Sequence, residues 1–435
     1  MRSIRKLASA FVNPVGVIFD YLISEPALVA AVRLGRRMSA LRRKEDKIRT
    51  LWGVTPILTL PLKAKCDRAL GFASDSLVLT NYHIANNFTW NLKWTRFLIH
   101  NSTLQGAVLK LILAIVILRY DVIHYFADRG ILPPLDGGSG INPKELSALE
   151  RAGKTVYVFT YGADVRTRRK TLALGDWNFC RDCKDPGRYC ICDDDRAALV
   201  MSYTARHIAR FVAMGDMLEY VPDPVHLAYW PIDLDEIRNV SQPSAEGALK
   251  ILHAPNHTHF KGTRYLERAV EELRQAGALV ELVKISGVSN RIVMQKMAEA
   301  DLVVDQLIGG AFGYTALEAM AYGRPVISYV RHRSLVVGFD ECPLLNVTPD
   351  DIKKVLAWCS ANREKLCRIG DQGRAYIEKY HSVPAVAARL AKLYYESMQL
   401  HPKLAERLSE FSKAELKRVE RIEQVAGWRH DWIVS

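Results

Sequence analysis

The residues best suited to chemistry lie in segment 301–330, where a glycine-rich turn joins an apolar run to a helical segment. The apolar run, residues 302–304, is of the kind that forms a buried parallel strand. Three glycines follow it, Gly309, Gly310 and Gly313. Glycine permits a tight turn and a close approach of the backbone to a ligand. Because helix formers come next, the turn directs unpaired N–H groups and the positive end of a helix dipole at one point, which favours phosphate.

Two charged residues of the same half of the chain can complete a phosphate site. Glu318 lies one turn into the predicted helix, within reach of a ribose hydroxyl beside a bound phosphate. Lys261 follows a predicted strand and stands at a helix start, where an ammonium can neutralise a diphosphate. Each feature also has an ordinary explanation, namely a βαβ crossover with packing glycines and a solvated lysine. Their occurrence together favours a nucleotide site.

Residues 312–327 resemble the donor-site signature of retaining GT-B glycosyltransferases, which transfer sugars from nucleotide sugars. In that family two glutamates are separated by seven residues and followed by Ala-Met-Ala, Gly and Pro-Val. Glu318 matches the second glutamate, which the family uses to hold the nucleotide ribose. Gly310 stands where the family has the first. The resemblance therefore implies a nucleotide site that lacks the usual carboxylate contact to the donor sugar.

The resemblance also implies roles for other residues. Lys261 matches the family lysine that contacts the donor diphosphate, and no metal or other cofactor is expected for the transfer. The diphosphate site would include the turn and the backbone N–H groups that follow it, at Gly310, Phe312, Gly313, Tyr314 and Thr315. Strand-end segments that resemble family segments supply polar candidates near the reacting sugar, His124, Asp128 and Asp164. A histidine at such a place is also often a structural residue.

The elements that would position these residues alternate between strands and helices. Strands are predicted at residues 56–60, 76–80, 121–126, 154–159, 249–253, 279–285, 302–304 and 326–330. Such alternation predicts parallel, doubly wound sheets with ligands at the carboxyl ends of the strands. We predict an α/β protein with two Rossmann-like domains facing a cleft, as in GT-B enzymes, plus N-terminal and C-terminal helices. The predicted parts are a basic extension at 1–50, an acceptor domain at 51–237, a nucleotide-sugar domain at 248–395 and C-terminal helices at 396–435.

Four of the eight cysteines fall in a predicted insertion of the first domain, residues 176–195. They are spaced as two pairs, Cys180 with Cys183 and Cys190 with Cys192. Four thiols this close can bind one structural zinc ion, although the second pair lacks the common CxxC spacing. The alternative is a loop with four reduced cysteines. A cluster of this kind fits a reducing cytoplasm better than a disulfide framework.

Positive charge is concentrated near the N-terminus. The formal net charge is +13, and residues 1–50 contain 11 Lys and Arg against 4 Asp and Glu. A basic amphipathic stretch with aromatic residues can lie on an anionic membrane surface, or it can be a helical extension packed on the first domain. Periodicity does not distinguish the two. The longest apolar run, 107–118, is predicted to be a buried helix because it falls short of the ~18 residues that span a bilayer.

The sequence thus predicts a cytoplasmic transferase, peripheral on the inner face of the membrane, that moves a sugar from a UDP or GDP donor to a glycan or lipid-linked acceptor. The alternative is an inactive protein that binds sugar nucleotides or anionic polymers, because Gly310 replaces a signature carboxylate. No signal peptide is predicted. Nucleic acid is not expected as a partner, because no recognised binding module accompanies the charge.

Overall fold

The computed structural model describes residues 14–42, 47–80, 87–100, 102–135, 137–237 and 247–426. These residues form two compact units. The first comprises the described part of Met1–Asp164 with Ala198–Val212 and Tyr394–Arg407. The second comprises Val165–Ala197 with the described parts of Ala213–Leu393 and Leu408–Ser435. Each unit is built around one sheet.

The strands of the larger sheet are β1 (Arg49–Val54), β2 (Ala73–Val78), β3 (Trp90–Asn91), β4 (Val122–Phe126), β5 (Thr155–Phe159), β6 (Arg210–Ala213) and β7 (Pro224–His226). Their order is β3-β2-β1-β4-β5-β6-β7, and β1 to β6 pair in parallel. The smaller sheet contains β8 (Leu249–His253), β9 (Val280–Lys284), β10 (Leu302–Val304), β11 (Val326–Ser328) and β12 (Leu345–Asn346). Its order is β12-β11-β10-β8-β9, all parallel.

Helices connect these strands. In chain order they are α1 (Pro14–Phe19), α2 (Glu25–Arg42), α3 (Leu60–Ala69), α4 (Ser102–Arg119), α5 (Pro143–Arg151), α6 (Arg168–Leu172), α7 (Asp194–Ala205), α8 (Thr258–Lys261), α9 (Thr263–Gln275), α10 (Asn290–Glu299), α11 (Tyr314–Ala321), α12 (Ile352–Ala361), α13 (Arg363–Tyr380), α14 (Val383–Ser397) and α15 (Pro402–Ala426). A π-helical segment, Asp20–Ser24, joins α1 to α2, and Lys93–His100 is a 3-10 helix. The predicted fold class of two doubly wound α/β domains with terminal helices is confirmed.

The strand predicted at residues 56–60 is wrong. The first strand is β1, which lies just before that segment, and residues 60–69 form α3 instead. Pro61 lies in the first turn of α3, where the missing proline N–H costs no hydrogen bond. Two prolines within six residues are poorly suited to a central strand, since proline cannot donate to the ladder.

The predicted insertion at 176–195 belongs to the second unit rather than to the first. Arg264 Nη2 lies 2.6 Å from Asp182 Oδ1, and the rings of Phe179 and Phe260 are 5.9 Å apart. These contacts attach the insertion to residues that follow β8. Because such long-range contacts cannot be read from spacing, we correct the boundary drawn for the first domain.

A buried polar network lies in the core of the first unit. Asp67 Oδ2 accepts hydrogen bonds from Thr50 Oγ1 at 2.6 Å and from Trp52 Nε1 at 2.8 Å. The Tyr394 hydroxyl lies 2.8 Å from Asp67 Oδ1 and 2.9 Å from His124 Nε2. Burial raises the pKa of Asp67 to about 6, and its hydrogen-bond donors oppose that rise. The network therefore joins β1, α3 and β4 to the end of α14.

We expect Tyr394→Phe to destabilise the first unit by about 1–3 kcal/mol, because buried polar atoms of Asp67 and His124 would lose a partner. Urea unfolding followed by circular dichroism measures the change. Tyr395→Phe is the matched control, because Tyr395 is 60% exposed, and should change stability by less than about 0.5 kcal/mol. Equal effects of the two substitutions would contradict the role given to the network.

Candidate functional site

The order of the smaller sheet reverses between β8 and β10. In open parallel sheets, ligands bind outside the carboxyl ends of the strands at such a switch point. Lys261 is the last residue of α8, the helix after β8, and Asp305 directly follows β10. The topology therefore brings these two residues to the place where a doubly wound sheet binds its ligand.

Lys261, Asp305 and Gly313 contact one another at this point. The Lys261 Nζ lies 2.6 Å from Asp305 Oδ1, and the Gly313 N–H donates to Asp305 Oδ2 at 2.5 Å. The Asp305 side chain is 1% exposed and that of Lys261 is 18% exposed. The predicted lysine and glycine turn thus lie together, with a carboxylate of the chain bound to both.

The backbone of Gly313 is extended, a conformation that any residue can adopt. A glycine is needed here because there is no room for a side chain. A Cβ at this position would lie 2.9 Å from Lys261 Nζ and 3.1 Å from Asp305 Oδ2. Gly313 also precedes α11 and supplies no side-chain cap for the first N–H groups of that helix. The first turn, with Tyr314 and Thr315, therefore offers backbone donors and a positive dipole end beside an ammonium.

Glu318 is buried in α11 and electrostatically coupled to the ion pair. Burial, and then the charge of Asp305, raise the pKa of Glu318 to about 8, while Lys261 opposes the rise. Asn290 Nδ2 donates to Glu318 Oε1 at 3.0 Å. At neutral pH this carboxyl is largely protonated, so it can both donate a hydrogen bond to a hydroxyl oxygen and accept one.

Gly310, which stands where the resembling signature has its first glutamate, lies against Arg331. Gly310 has a φ of +81°, and a Cβ there would lie 2.5 Å from Arg331 Nη2. The Arg331 N–H donates to the Gly310 carbonyl at 2.8 Å, and Arg331 Nη2 lies 2.8 Å from Glu219 Oε2. A guanidinium paired with a carboxylate therefore covers the position where the family has a glutamate side chain.

His124 lies in the core of the first unit and is removed from the candidates. Its ring stacks on Trp52 at 3.8 Å, its Nδ1 lies 3.1 Å from the Leu51 carbonyl, and Tyr394 meets its Nε2. Burial lowers the pKa of His124 to about 3, so the ring is neutral. A fully buried ring with both nitrogens in hydrogen bonds is positioned for structure and not for contact with a substrate.

Asp164 lies in the first unit, near the switch between β1 and β4. Its Oδ1 accepts hydrogen bonds from the backbone N–H groups of Tyr161 and Gly162, at 2.9 and 2.8 Å. Burial and the nearby charge of Asp128 raise the pKa of Asp164 to about 7. Asp128 Oδ1 accepts from Thr55 Oγ1 at 2.6 Å. The carboxyl groups of Asp128 and Asp164 thus lie near each other, beyond the carboxyl ends of β1, β4 and β5. A role for Asp164 in contact with the reacting sugar stays a prediction.

The four clustered cysteines line one small pocket of the second unit together with Arg166. The Gly187 N–H donates to Cys192 Sγ at 3.0 Å, and burial raises the pKa of Cys190 to about 12. All four are free thiols. Among the described residues, no group of three or more His, Cys, Asp or Glu side chains is positioned to hold a metal ion. As placed, the thiols do not fit a tetrahedral ion, and the structural zinc stays a prediction from their spacing.

Sequence reasoning missed three residues of the site, Asp305, Asn290 and Arg331. A signal existed for Asp305, since it directly follows the apolar run at 302–304. Polar residues at the carboxyl end of a parallel strand meet the ligand-binding edge of the sheet. Asn290 and Arg331 come from other segments and reach the site only through tertiary packing.

Solved structures with a similar fold include a sucrose-phosphate synthase from Thermosynechococcus elongatus, with a TM-score of 0.52, 11% identity, and coverage of 80% of this chain and 98% of that chain. HepE of Anabaena in complex with UDP-glucose has a TM-score of 0.51 and 12% identity, covering 80% and 100%. An alpha-glucosyltransferase in complex with UDP-glucose and DNA containing an abasic site has a TM-score of 0.51 and 10% identity, covering 80% and 99%.

These structural neighbours are GT-B glycosyltransferases, and the chain has the GT-B fold. No family model and no curated protein sequence matches the chain.

We expect Asp305→Asn to tighten UDP binding about tenfold, because the Asp305 carboxylate repels a diphosphate and holds the two donors that would bind it. Isothermal titration calorimetry measures the dissociation constant. Asp340→Asn is the control, since it removes the same charge from a side chain that is 70% exposed. Unchanged or weaker UDP binding in Asp305→Asn would contradict this electrostatic account.

Proposed function

We propose that the protein is a glycosyltransferase that moves a sugar from a UDP or GDP donor to a glycan or lipid-linked acceptor. The observation that carries the proposal is the meeting of Lys261, the Gly313 N–H and Glu318 at the switch point of a doubly wound sheet. These groups offer an ammonium, backbone donors and a hydroxyl-binding carboxyl. A nucleoside diphosphate needs all three.

Transfer would depend on electrostatic stabilisation of the leaving diphosphate. Negative charge develops on that group as the bond between the anomeric carbon and the diphosphate oxygen breaks, and donors already held in place stabilise it without reorganisation. The acceptor hydroxyl oxygen forms the new glycosidic bond at that carbon, and its proton leaves with the diphosphate. Lys261 and the backbone N–H groups of 313–315 would take this role, with Asp305 moving away from the lysine when the donor binds. Glu318 would orient the nucleotide through a ribose hydroxyl. No step requires a metal ion.

The choice of donor and the stereochemistry are finer parts of the proposal. UDP-glucose is bound in two of the similar structures, HepE and the DNA-bound alpha-glucosyltransferase, which supports a UDP donor here. Retention of the anomeric configuration is supported by the resemblance of residues 312–327 to the retaining signature. A cytoplasmic location is supported by the cysteine cluster at 176–195, because its spacing suits a reducing compartment better than a disulfide framework.

A second candidate function is sugar-nucleotide binding without transfer. It is favoured by Gly310, where an arginine covers the place of the signature carboxylate. The two functions differ in turnover. A transferase releases UDP or GDP from a donor, by transfer or by slow hydrolysis, whereas a binding protein leaves the donor intact.

We expect the wild-type protein to release nucleotide from one member of a panel of UDP- and GDP-sugars. Lys261→Ala and Glu318→Ala should each lower kcat/KM by about 10²–10³, because each removes a group that contacts the donor. Coupled nucleotide-release assays measure the rate, and NMR of the released sugar gives the anomer first formed.

Lys296→Ala and Glu299→Ala are the matched controls, because these residues form an exposed pair on α10. They should leave the rate unchanged. Nucleotide binding without turnover of any donor would support the binding protein, and equal losses in the control variants would show that charge alone explains the effect.

A further inference from the structure

The first unit exposes large apolar side chains on two segments that are far apart in sequence and that both contact α4. The first segment comprises α1, the π-helical segment and α2, and the second is the 3-10 helix. The large apolar side chains exposed on them are Val17, Ile18, Tyr21, Leu22, Ile23, Val29, Leu34, Leu41, Trp94 and Phe97. Tyr21 is 76% exposed and Phe97 is 83% exposed. We call these ten residues the amphipathic surface.

Helix α4 joins the two segments. Gln105 Nε2 of α4 donates to the Thr95 carbonyl of the 3-10 helix at 3.3 Å. Lys110 Nζ lies 2.7 Å from both Asp20 Oδ2 and Glu25 Oε2. Farther along, a Cβ at Gly35 of α2 would lie 2.6 Å from Ile117 Cγ2. The predicted packing of the extension on the first domain is thus seen for residues 14–42, with small residues against α4.

The outward side of the extension is distinct from its buried side. Ala31, Gly35 and Ser39 of α2 are buried at intervals of four residues, the period of one helical stripe. Ile18, Leu22 and Val29 are exposed, on α1, the π-helical segment and α2 respectively. Packing on α4 therefore uses one side of the extension and leaves the large apolar side chains on another. The extension can therefore pack on α4 and bind a membrane surface at the same time.

Exposed basic residues accompany the amphipathic surface. They are Arg33, Arg36 and Arg37 on α2 and Lys93 and Arg96 on the 3-10 helix. The acidic residues of the described extension, Asp20 and Glu25, both pair with Lys110, whose single positive charge offsets one of their two negative charges. The five exposed Lys and Arg residues outnumber the negative charge that remains. The exposed charge beside the apolar residues is therefore positive, and the complementary partner is anionic.

By length and composition, α4 is the helix among the described residues that could cross a membrane. Its buried side is packed in the unit, with Ala107, Leu113 and Ile117 fully buried. The prediction of a buried helix holds for that side, whereas Ile115 is 61% exposed. Helix α4 therefore packs in the core with one side and contacts both segments that carry the amphipathic surface.

We propose that the amphipathic surface binds an anionic lipid bilayer, with Tyr21, Leu22, Trp94 and Phe97 at the level of the headgroups. Tyrosine and tryptophan favour that level because their rings are amphipathic, and arginine and lysine beside them bind lipid phosphates. A second copy of the chain fits less well, because two surfaces of the same positive charge would repel each other. The proposal concerns the first unit and does not depend on sugar transfer.

Vesicle flotation of the full chain tests the proposal. We expect co-flotation with vesicles of phosphatidylcholine and phosphatidylglycerol, and weaker binding to phosphatidylcholine alone. The variant Tyr21→Ser/Leu22→Ser/Phe97→Ser should lower the partition coefficient at least about tenfold. The variant Arg33→Gln/Arg36→Gln/Arg37→Gln should lower the partition coefficient by roughly fivefold per arginine. High salt should weaken vesicle binding of the wild type, because it screens the charges of the same arginines.

The matched control is Leu135→Ser/Leu199→Ser/Leu279→Ser, which removes three exposed leucines from other segments. It should bind like the wild type, and UDP affinity should stay the same in every variant. Equal binding of the wild type and the apolar variant would overturn the proposal, as would no binding to anionic vesicles. A wild-type dimer in sedimentation velocity that the apolar variant abolishes, without vesicle binding, would assign the surface to a second copy instead.

Discussion

The Lys261 ammonium lies at the switch point of the smaller sheet, where it needs a counter-charge because most of it is removed from water. Asp305 supplies that charge, and its second oxygen accepts the N–H of Gly313. The carboxylate thus occupies the donors that a diphosphate would use. It also contributes to the raised pKa of Glu318, one turn farther along α11. The charge state of Glu318 and the position of the Gly313 turn both depend on this ion pair.

A ligand with two phosphates can displace the Asp305 carboxylate from the Lys261 ammonium and the Gly313 N–H. The cost is the movement of one short side chain, and the gain is a doubly charged group against an ammonium and a helix N-terminus. Donor binding would then replace the Asp305 charge next to Glu318 by that of the diphosphate. In the proposed function, donor binding, ion-pair exchange and ribose recognition would be linked through Asp305, the residue that directly follows β10.

An arginine–glutamate pair lies beside Gly310, where the resembling signature has a glutamate. A glutamate there would meet the guanidinium of Arg331, which already pairs with Glu219. The site exchanges a lone carboxylate for an arginine–glutamate pair that comes from outside the signature. A donor sugar placed beside it would meet a different pattern of hydrogen-bond donors and acceptors from that of the family.

The part of the site that the sequence predicts is the part encoded locally. β10, the glycine turn and α11 follow one another within twenty residues, and their pattern predicts a strand, a turn and a helix. Lys261 lies in a similar local unit. Asp305 has a local signal that we did not use, whereas Arg331 and Glu219 depend on tertiary packing. The prediction of a strand at 56–60 is wrong for a local reason, since Pro61 fits the first turn of α3. The prediction of His124 as a site residue is wrong because the sequence does not show that this side chain is fully buried.

Hydrogen–deuterium exchange of the full chain with and without UDP is the most direct measurement of the nucleotide site. The account predicts slower exchange in peptides that cover residues 305–318 and 258–263 when UDP is present, with the strands of the first unit unchanged. Protection confined to other segments, at a UDP concentration that saturates binding, would contradict the placement of the diphosphate beside Lys261 and Gly313.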